Sequence, residues 1–244
     1  MILRHIAENL RNENWAALMI ELIVVVLGIF IGFQVDRWYE EQRERKTEAV
    51  YLERMLFDVQ AMLDDAELAG QFGQDRLDSM IHVYQSLQAG EIIDRDIEMF
   101  EYGLGAVAFL PSLSKVDTTY LEMLQNGSFA SLGNVELKRT IVELYQSYEM
   151  MAQQLPYYRG FASSFEALLI KMVDFSWAPF DKGELPENFS DHPSSVQFDF
   201  TGLVSDREVR NGFYQMVDTH NDWVEMHKRI VAQLEKADQL LKAQ

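Results

Sequence analysis

A single apolar segment near the start of the chain constrains its fold more than any other feature. It runs from Trp15 to Trp38 and reads WAALMIELIVVVLGIFIGFQVDRW. At about 1.5 Å per residue, a helix of this length spans roughly 35 Å, slightly more than the hydrocarbon core of a bilayer. Both tryptophans then lie at interface depth, and the exit sequence GFQVDRW lacks the small-residue pattern of a signal-peptidase site. We therefore predict an uncleaved transmembrane helix over residues 14–39.

One face of this helix combines small residues with a carboxylic acid. At about 100° per residue, the other members of the stripe fall within about 40° of the acid, and the stripe consists of Ala17, Glu21, Val25, Gly28 and Gly32. Glycines let membrane helices approach closely, and a carboxyl group in lipid tends to face a partner. The stripe thus predicts a helix–helix contact. Two alternatives stay open: Glu21 reaches the near interface, or it carries protons.

The rest of the chain divides into three further segments. Residues 1–13 alternate apolar and charged side chains, which predicts an amphipathic helix lying at the membrane interface. Residues 40–50 are charged and free of helix breakers, so they predict a stalk that continues the membrane helix. Residues 51–244 form the remaining domain. The basic residues after the span are interleaved with glutamates, so flanking charge does not decide which side this domain occupies.

Charge and composition exclude several classes of function. From residue 47 onward the chain has 32 acidic and 15 basic residues, a net charge of −17. Such a domain is repelled by nucleic acid and by anionic lipid headgroups. Cysteine is absent, which removes disulfides, thiol catalysis and thiolate metal sites. The expected partners are membrane lipid around the span and other membrane subunits, including further copies of this chain; no cofactor is expected.

Three later segments repeat apolar residues at alternating steps of four and three, which we call seams. They run from Leu52 to Leu87, from Leu137 to Met172 and from Val209 to Leu241. Seams this regular are typical of long helices packed at shallow angles. We predict an all-α fold: the transmembrane helix and stalk, followed by an elongated antiparallel bundle of three long helices plus short ones.

Local signals place the helix ends. Ser205 and Glu208 have the spacing of a capping box for the last long helix, and Asn134 predicts the cap of the second. Pro156 is expected to kink the second helix without ending it. Two shorter helices are expected between Arg95 and Gln125, with Ser114 as a candidate cap.

The histidines and seam glycines suggest chemistry only weakly. His220 and His227 lie on the last seam near several acids, so a metal site is the alternative to buried histidines bonded across the bundle. His82 lies off its seam and is expected at the surface. Gly70 and Gly73 occupy seam positions, which predicts a close helix approach, a kink or a small pocket.

Residues 175–204 interrupt the helical pattern and contain three of the five prolines. A loop of this length is often functional. Its aromatic residues either plug the end of the bundle or form a partner-binding surface, and the candidates are Phe175, Trp177, Phe180, Phe198 and Phe200.

Three stretches resemble an uncharacterised family of single-pass membrane proteins of Gram-negative bacteria. They begin at Glu21 (ELIVVVLGIFIGFQVDRW), at Thr119 (TYLEMLQNGSF, with Asn134 and Tyr145 following) and at Ser205 (SDREVRN). The resemblance implies an inner-membrane protein with one helical domain, and its usual topology implies that this domain is periplasmic. The family has no established activity.

No phosphate-binding loop, nucleophile elbow or triad pattern occurs in the sequence, and the acids lie mostly between seam positions. We therefore expect a non-catalytic interaction, scaffold or accessory subunit of an inner-membrane assembly. Two alternatives stay open: a membrane-linked sensor of a small ligand, and a partner subunit that carries protons on Glu21.

Overall fold

The computed structural model describes residues 15–108, 110–177 and 194–244. The chain divides into two compact units, Met1–Glu53 and Arg54–Gln244. The amphipathic helix predicted over residues 1–13 lies outside the described residues.

Within the described residues the chain is almost entirely helical, so the prediction of an all-α fold is confirmed. The three long helices are α1 (Trp15–Ala89), α5 (Val135–Leu169) and α7 (Arg207–Lys242). The short ones are α2 (Ile97–Gly105), α3 (Thr118–Asn126), α4 (Ser128–Ser131) and α6 (Phe200–Ser205). Two 3₁₀ turns, Ile93–Arg95 and Ala106–Ala108, flank α2. Two strands, β1 (Val173–Trp177) and β2 (Ser194–Phe198), complete the fold.

The described part of the first unit is the N-terminal portion of α1, up to Glu53. This helix contains a stretch that is long and apolar enough to cross a membrane, judged by length and composition. Throughout this stretch, the large apolar side chains from Met19 to Val35 are exposed. The residues predicted as a stalk, 40–50, are helical and belong to α1.

In the second unit, cross-helix contacts fix the directions of the long helices. Gln60 bonds Asp238 at 3.1 Å and His227 bonds the carbonyl of Ala66 at 2.7 Å, so α1 and α7 are antiparallel. Lys236 pairs with Glu136 at 2.9 Å, whereas Phe213 packs on Phe165 near the other end of α5. Helix α7 therefore runs antiparallel to both long neighbours.

The predicted seams match the core best on α7, where all ten seam residues are buried. On α5 the helix continues through Pro156, and most seam residues are buried. On the first turns of the α1 seam, several buried side chains lie one residue before the predicted positions. The buried side chains there are Tyr51, Met55 and Met62, while the predicted Leu52, Leu56 and Leu63 are only half buried. Apolar residues occupy both phases in this stretch, so spacing alone did not choose between them.

The prediction of a continuous loop over residues 175–204 is wrong at both ends. Strands β1 and β2 pair antiparallel from Val173 opposite Phe198 to Trp177 opposite Ser194, and α6 follows immediately. Val173 and Val196 face the core and are buried. Strands of five residues gave too little alternating pattern to be recognised beside the prolines.

One of the three predicted helix caps is confirmed, and the other two are wrong. Asn134 caps α5 as predicted, because its Oδ1 accepts from the amide of Leu137 at 3.0 Å. Asp206, and not Ser205, caps α7 and accepts from the amides of Glu208 and Val209. The Ser205 hydroxyl instead donates to carbonyls of α6, which ends there. Helix α3 starts at Thr118, so Ser114 is not its cap.

Candidate functional site

The predicted contact stripe is an open surface on α1. A β-carbon added at Gly28 or at Gly32 would meet no described atom within 4 Å. Val25, between the acid and the glycines, is 43% exposed. The side chain of Ala17 lies outside the described part of the structure. The stripe thus leaves helix backbone accessible at two positions one turn apart, which is the geometry that a closely approaching helix requires.

Glu21 lies on the same face and is half buried within this unit. Its Oε2 atom has no exposure to solvent and no hydrogen-bond partner among the described residues. A carboxyl oxygen without a donor is costly in an apolar environment. Glu21 thus places a carboxyl group among apolar side chains, on the face that also carries the two glycines.

In the second unit, the two seam glycines of α1 receive aromatic rings from α7. A β-carbon at Gly70 would lie 2.6 Å from Cε1 of His227, and one at Gly73 would clash with the ring of Trp223. The two rings stack on each other with centroids 5.0 Å apart and planes 21° apart. Of the three interpretations of these glycines, the close approach is confirmed.

The histidines on α7 serve packing. Both are buried, and the ring of His227 bonds across to α1 as predicted, at the Ala66 carbonyl. His220 instead has its Nδ1 bonded to the carbonyl of Met216, one turn earlier on its own helix, at 3.0 Å. Burial lowers the pKa of His227, and its bond to Ala66 opposes that shift. Throughout the described ranges, no group of three or more acidic or histidine side chains is arranged to hold a metal.

His82 was expected at the surface, and that prediction is wrong. Its side chain is buried, with Nε2 3.2 Å from the carbonyl of Asp96. The chain turns back after Gly90, which has a positive φ, and the following segment covers this face of α1. The spacing of α1 alone does not reveal this burial. A second face of α1 is covered only because the chain turns back at Gly90 and the following segment packs on it.

The aromatic residues of segment 175–204 do not form one exposed surface. Phe198 and Phe200 pack on the buried Phe100, with ring centroids 5.1 and 5.6 Å apart. Phe175 is partly exposed at 37%. Phe180 and the side chain of Trp177 lie outside the described residues. Phe198 and Phe200 are partly buried and pack against the core, which favours the interpretation that they plug the bundle.

A pocket that the sequence did not reveal lies between α3 and α5. It encloses about 450 Å³, and its lining combines two tyrosines, an ammonium group and two carboxylates with apolar side chains. The rings of Tyr120 and Tyr145 are stacked, 4.2 Å apart and 7° from parallel. The Tyr145 hydroxyl donates to the carbonyl of Val116 at 2.7 Å. Both tyrosines were named in the resemblance, but nothing in their spacing indicated that they meet.

Charges at the rim of this pocket are paired. Lys115 bonds Asp117 at 3.1 Å and Glu149 at 2.5 Å. These hydrogen bonds, first the one to Glu149, raise the pKa of Lys115, so it stays an ammonium ion. Burial raises the pKa of Tyr145 well above its ordinary range, so it stays a phenol. The arrangement offers an apolar, aromatic surface beside a cluster of paired charges, which is suited to binding.

Comparisons of the chain with protein-family models, with curated proteins and with solved structures found no match.

Proposed function

We propose that this protein is a membrane-anchored, non-catalytic subunit that associates with other membrane helices through the stripe of α1. The observation that carries the proposal is the open space at Gly28 and Gly32, with the carboxyl group of Glu21 on the same face of the helix. A partner helix that packs on the glycines supplies both van der Waals contact and a hydrogen-bond donor. The partner is a second copy of this chain or another membrane subunit.

The decisive experiment is a membrane two-hybrid assay of the full chain. Replacing Gly28 and Gly32 with isoleucine fills the open surface and should weaken association strongly. The matched control is Ile23→Ala with Phe30→Ala, because these residues lie on the opposite face of the helix and should leave association intact. Unchanged association in the glycine variant would overturn the proposal.

The proposed location is the bacterial inner membrane with the acidic domain in the periplasm, supported by the apolar stretch of α1 and by the family resemblance. The native chain has no cysteine, so one introduced thiol reports topology without background. Ser163 is exposed on α5, and Ser163→Cys should react in intact cells with a maleimide that does not cross membranes. Labelling only after the inner membrane is opened would place the domain in the cytoplasm instead.

A second candidate function, sensing a small ligand, is favoured by the pocket at Tyr120 and Tyr145. The test is thermal stabilisation of the full chain in mild detergent by a library of small metabolites. Met150 lines the pocket and is 49% exposed, so Met150→Phe fills part of the space without adding a polar group. Stabilisation of the native chain that disappears in this variant would support sensing; its persistence would exclude this pocket.

A further inference from the structure

The helical turns that follow the apolar stretch separate charges that the sequence interleaves. At helical spacing, Tyr39, Gln42, Arg43 and Lys46 lie on one side of α1, next to Trp38. Three glutamates of this region, Glu41, Glu44 and Glu48, lie on the other side of the helix, and Glu40 borders the first side, three residues before Arg43. One face of α1 is therefore cationic and aromatic, and the opposite face carries glutamates together with Arg37 and Arg45. We call the first the cationic face.

The cationic face forms a shallow pocket of about 370 Å³, lined by Trp38, Tyr39, Gln42, Arg43 and Lys46. The two rings meet edge to face with centroids 6.0 Å apart. Within the part of the chain that the structure describes, Arg43 and Lys46 form no ion pair and both are exposed. Two cations without counter-ions beside two amphipathic rings have the chemistry that recognises a phosphate at an apolar boundary.

The depth of the cationic face fits the headgroup layer. Arg43 and Lys46 lie about 8 Å and about 12 Å beyond Trp38 along the helix axis. The polar layer on each side of a bilayer is about 5–8 Å thick. Side chains on a helix lean toward its N-terminus, which for this helix is the direction of the apolar stretch. Both cationic groups thus reach back to the level at which phospholipid phosphates lie.

We propose that the cationic face binds the phosphate of an anionic phospholipid, with Arg43 and Lys46 as its ligands and Trp38 and Tyr39 against the glycerol and upper acyl region. The proposal rests on the proposed membrane anchoring and adds a lipid-binding site to it. The glutamates on the opposite face repel anionic lipid from that side of the helix. Bound lipid therefore occupies one side of α1 only.

The test uses the full chain, delipidated in detergent and offered equal parts of phosphatidylglycerol and phosphatidylcholine. Native mass spectrometry then measures which lipid is retained. The native chain should prefer phosphatidylglycerol, and Arg43→Gln with Lys46→Gln should reduce that preference roughly tenfold or more, since each cation near an anionic surface contributes appreciably. The control, Arg37→Gln with Arg45→Gln, removes two charges whose neighbours at helical spacing are glutamates, and the preference should survive.

Equal loss of preference in both double variants, or none in the first, would overturn the lipid site. Glycerol 3-phosphate, offered in place of lipid, separates the two sources of phosphate. Retention of it through Arg43 and Lys46 would show a soluble-phosphate site and overturn the lipid assignment. Anchoring is read separately: extraction of the native chain from vesicles by alkaline carbonate would overturn the membrane proposal, whatever the lipid preference.

Discussion

The ring of Trp223 lies on the backbone of Gly73, in the space that a β-carbon on that glycine would need. The indole is only 1% exposed and stacks on His227, whose ring occupies the corresponding space above Gly70. Gly70 and Gly73 thus leave two successive spaces on α1, which we call notches, and two successive rings of α7 fill them. The relationship makes the glycines structural requirements of the bundle, and it can be tested directly.

Gly73→Ala should lower the free energy of unfolding by about 1–3 kcal/mol, because the added methyl group overpacks a rigid, buried ring. The gain in helix propensity, up to about 1 kcal/mol, offsets only part of this cost. Urea denaturation of the full chain in detergent, followed by circular dichroism, measures the change. Gly160→Ala is the control, since its β-carbon would meet no described atom, and it should be neutral or stabilising. Equal behaviour of the two variants would contradict the notch.

Stability should fall as the pH drops below about 6.5, the ordinary pKa of histidine, because burial lowers the pKa of His227 in the folded state. Below that pH the unfolded chain takes up a proton that the folded chain does not, so acid favours unfolding until the lower folded pKa is passed. His227→Gln removes this contribution. Between about pH 7 and about pH 5, the stability of the variant should therefore vary less with pH than that of the native chain. Parallel profiles would show that His227 does not carry the effect.

Tyr145→Phe should cost about 1 kcal/mol, because it removes the hydrogen bond to the carbonyl of Val116 and leaves that acceptor without this donor. The ring and its stacking on Tyr120 are retained, so the hydroxyl alone is tested. Tyr157 is 77% exposed, and Tyr157→Phe should change stability by less than the error of the measurement. Thermal or urea unfolding of both variants provides the comparison, and a silent Tyr145→Phe would refute the expectation.

Glu21 distinguishes helix contact from proton transport. Glu21→Gln keeps a group that hydrogen-bonds across a helix interface, so association in the membrane should persist. Glu21→Leu removes that group and should weaken association by roughly 0.6–2 kcal/mol, the range found for such bonds in membranes. If Glu21→Gln preserves association but abolishes the activity of the native complex, proton carriage is the better explanation.

The long helices were accessible to sequence reasoning because a buried stripe on a long helix must recur at helical spacing. All ten seam positions of α7 are buried for that reason, and Asn134 caps α5 through local chemistry alone. Tertiary choices were not accessible. Which of two apolar phases of α1 turns inward, and whether Asp206 or Ser205 caps α7, depend on neighbours that are distant in the chain or compete for the same amide.

The candidate sites divide in the same way. The stripe of Glu21, Gly28 and Gly32 lies on one helix, so helical geometry was enough to predict it without knowledge of tertiary contacts. The pocket at Tyr120 and Tyr145 brings together residues from two helices, and the spacing of either helix does not encode their meeting. His82 illustrates the converse, because an isolated histidine became buried only when a later segment covered it.

The paired notches also determine how α1 and α7 can move within the second unit. A shift of one helical turn would drive His227 onto Ala66 in one direction and Trp223 onto Leu77 in the other. Either shift replaces a space left by glycine with a side chain that is already buried. The two helices therefore cannot slide past each other in either direction without a steric clash. Piston-like displacement between them is opposed by these contacts.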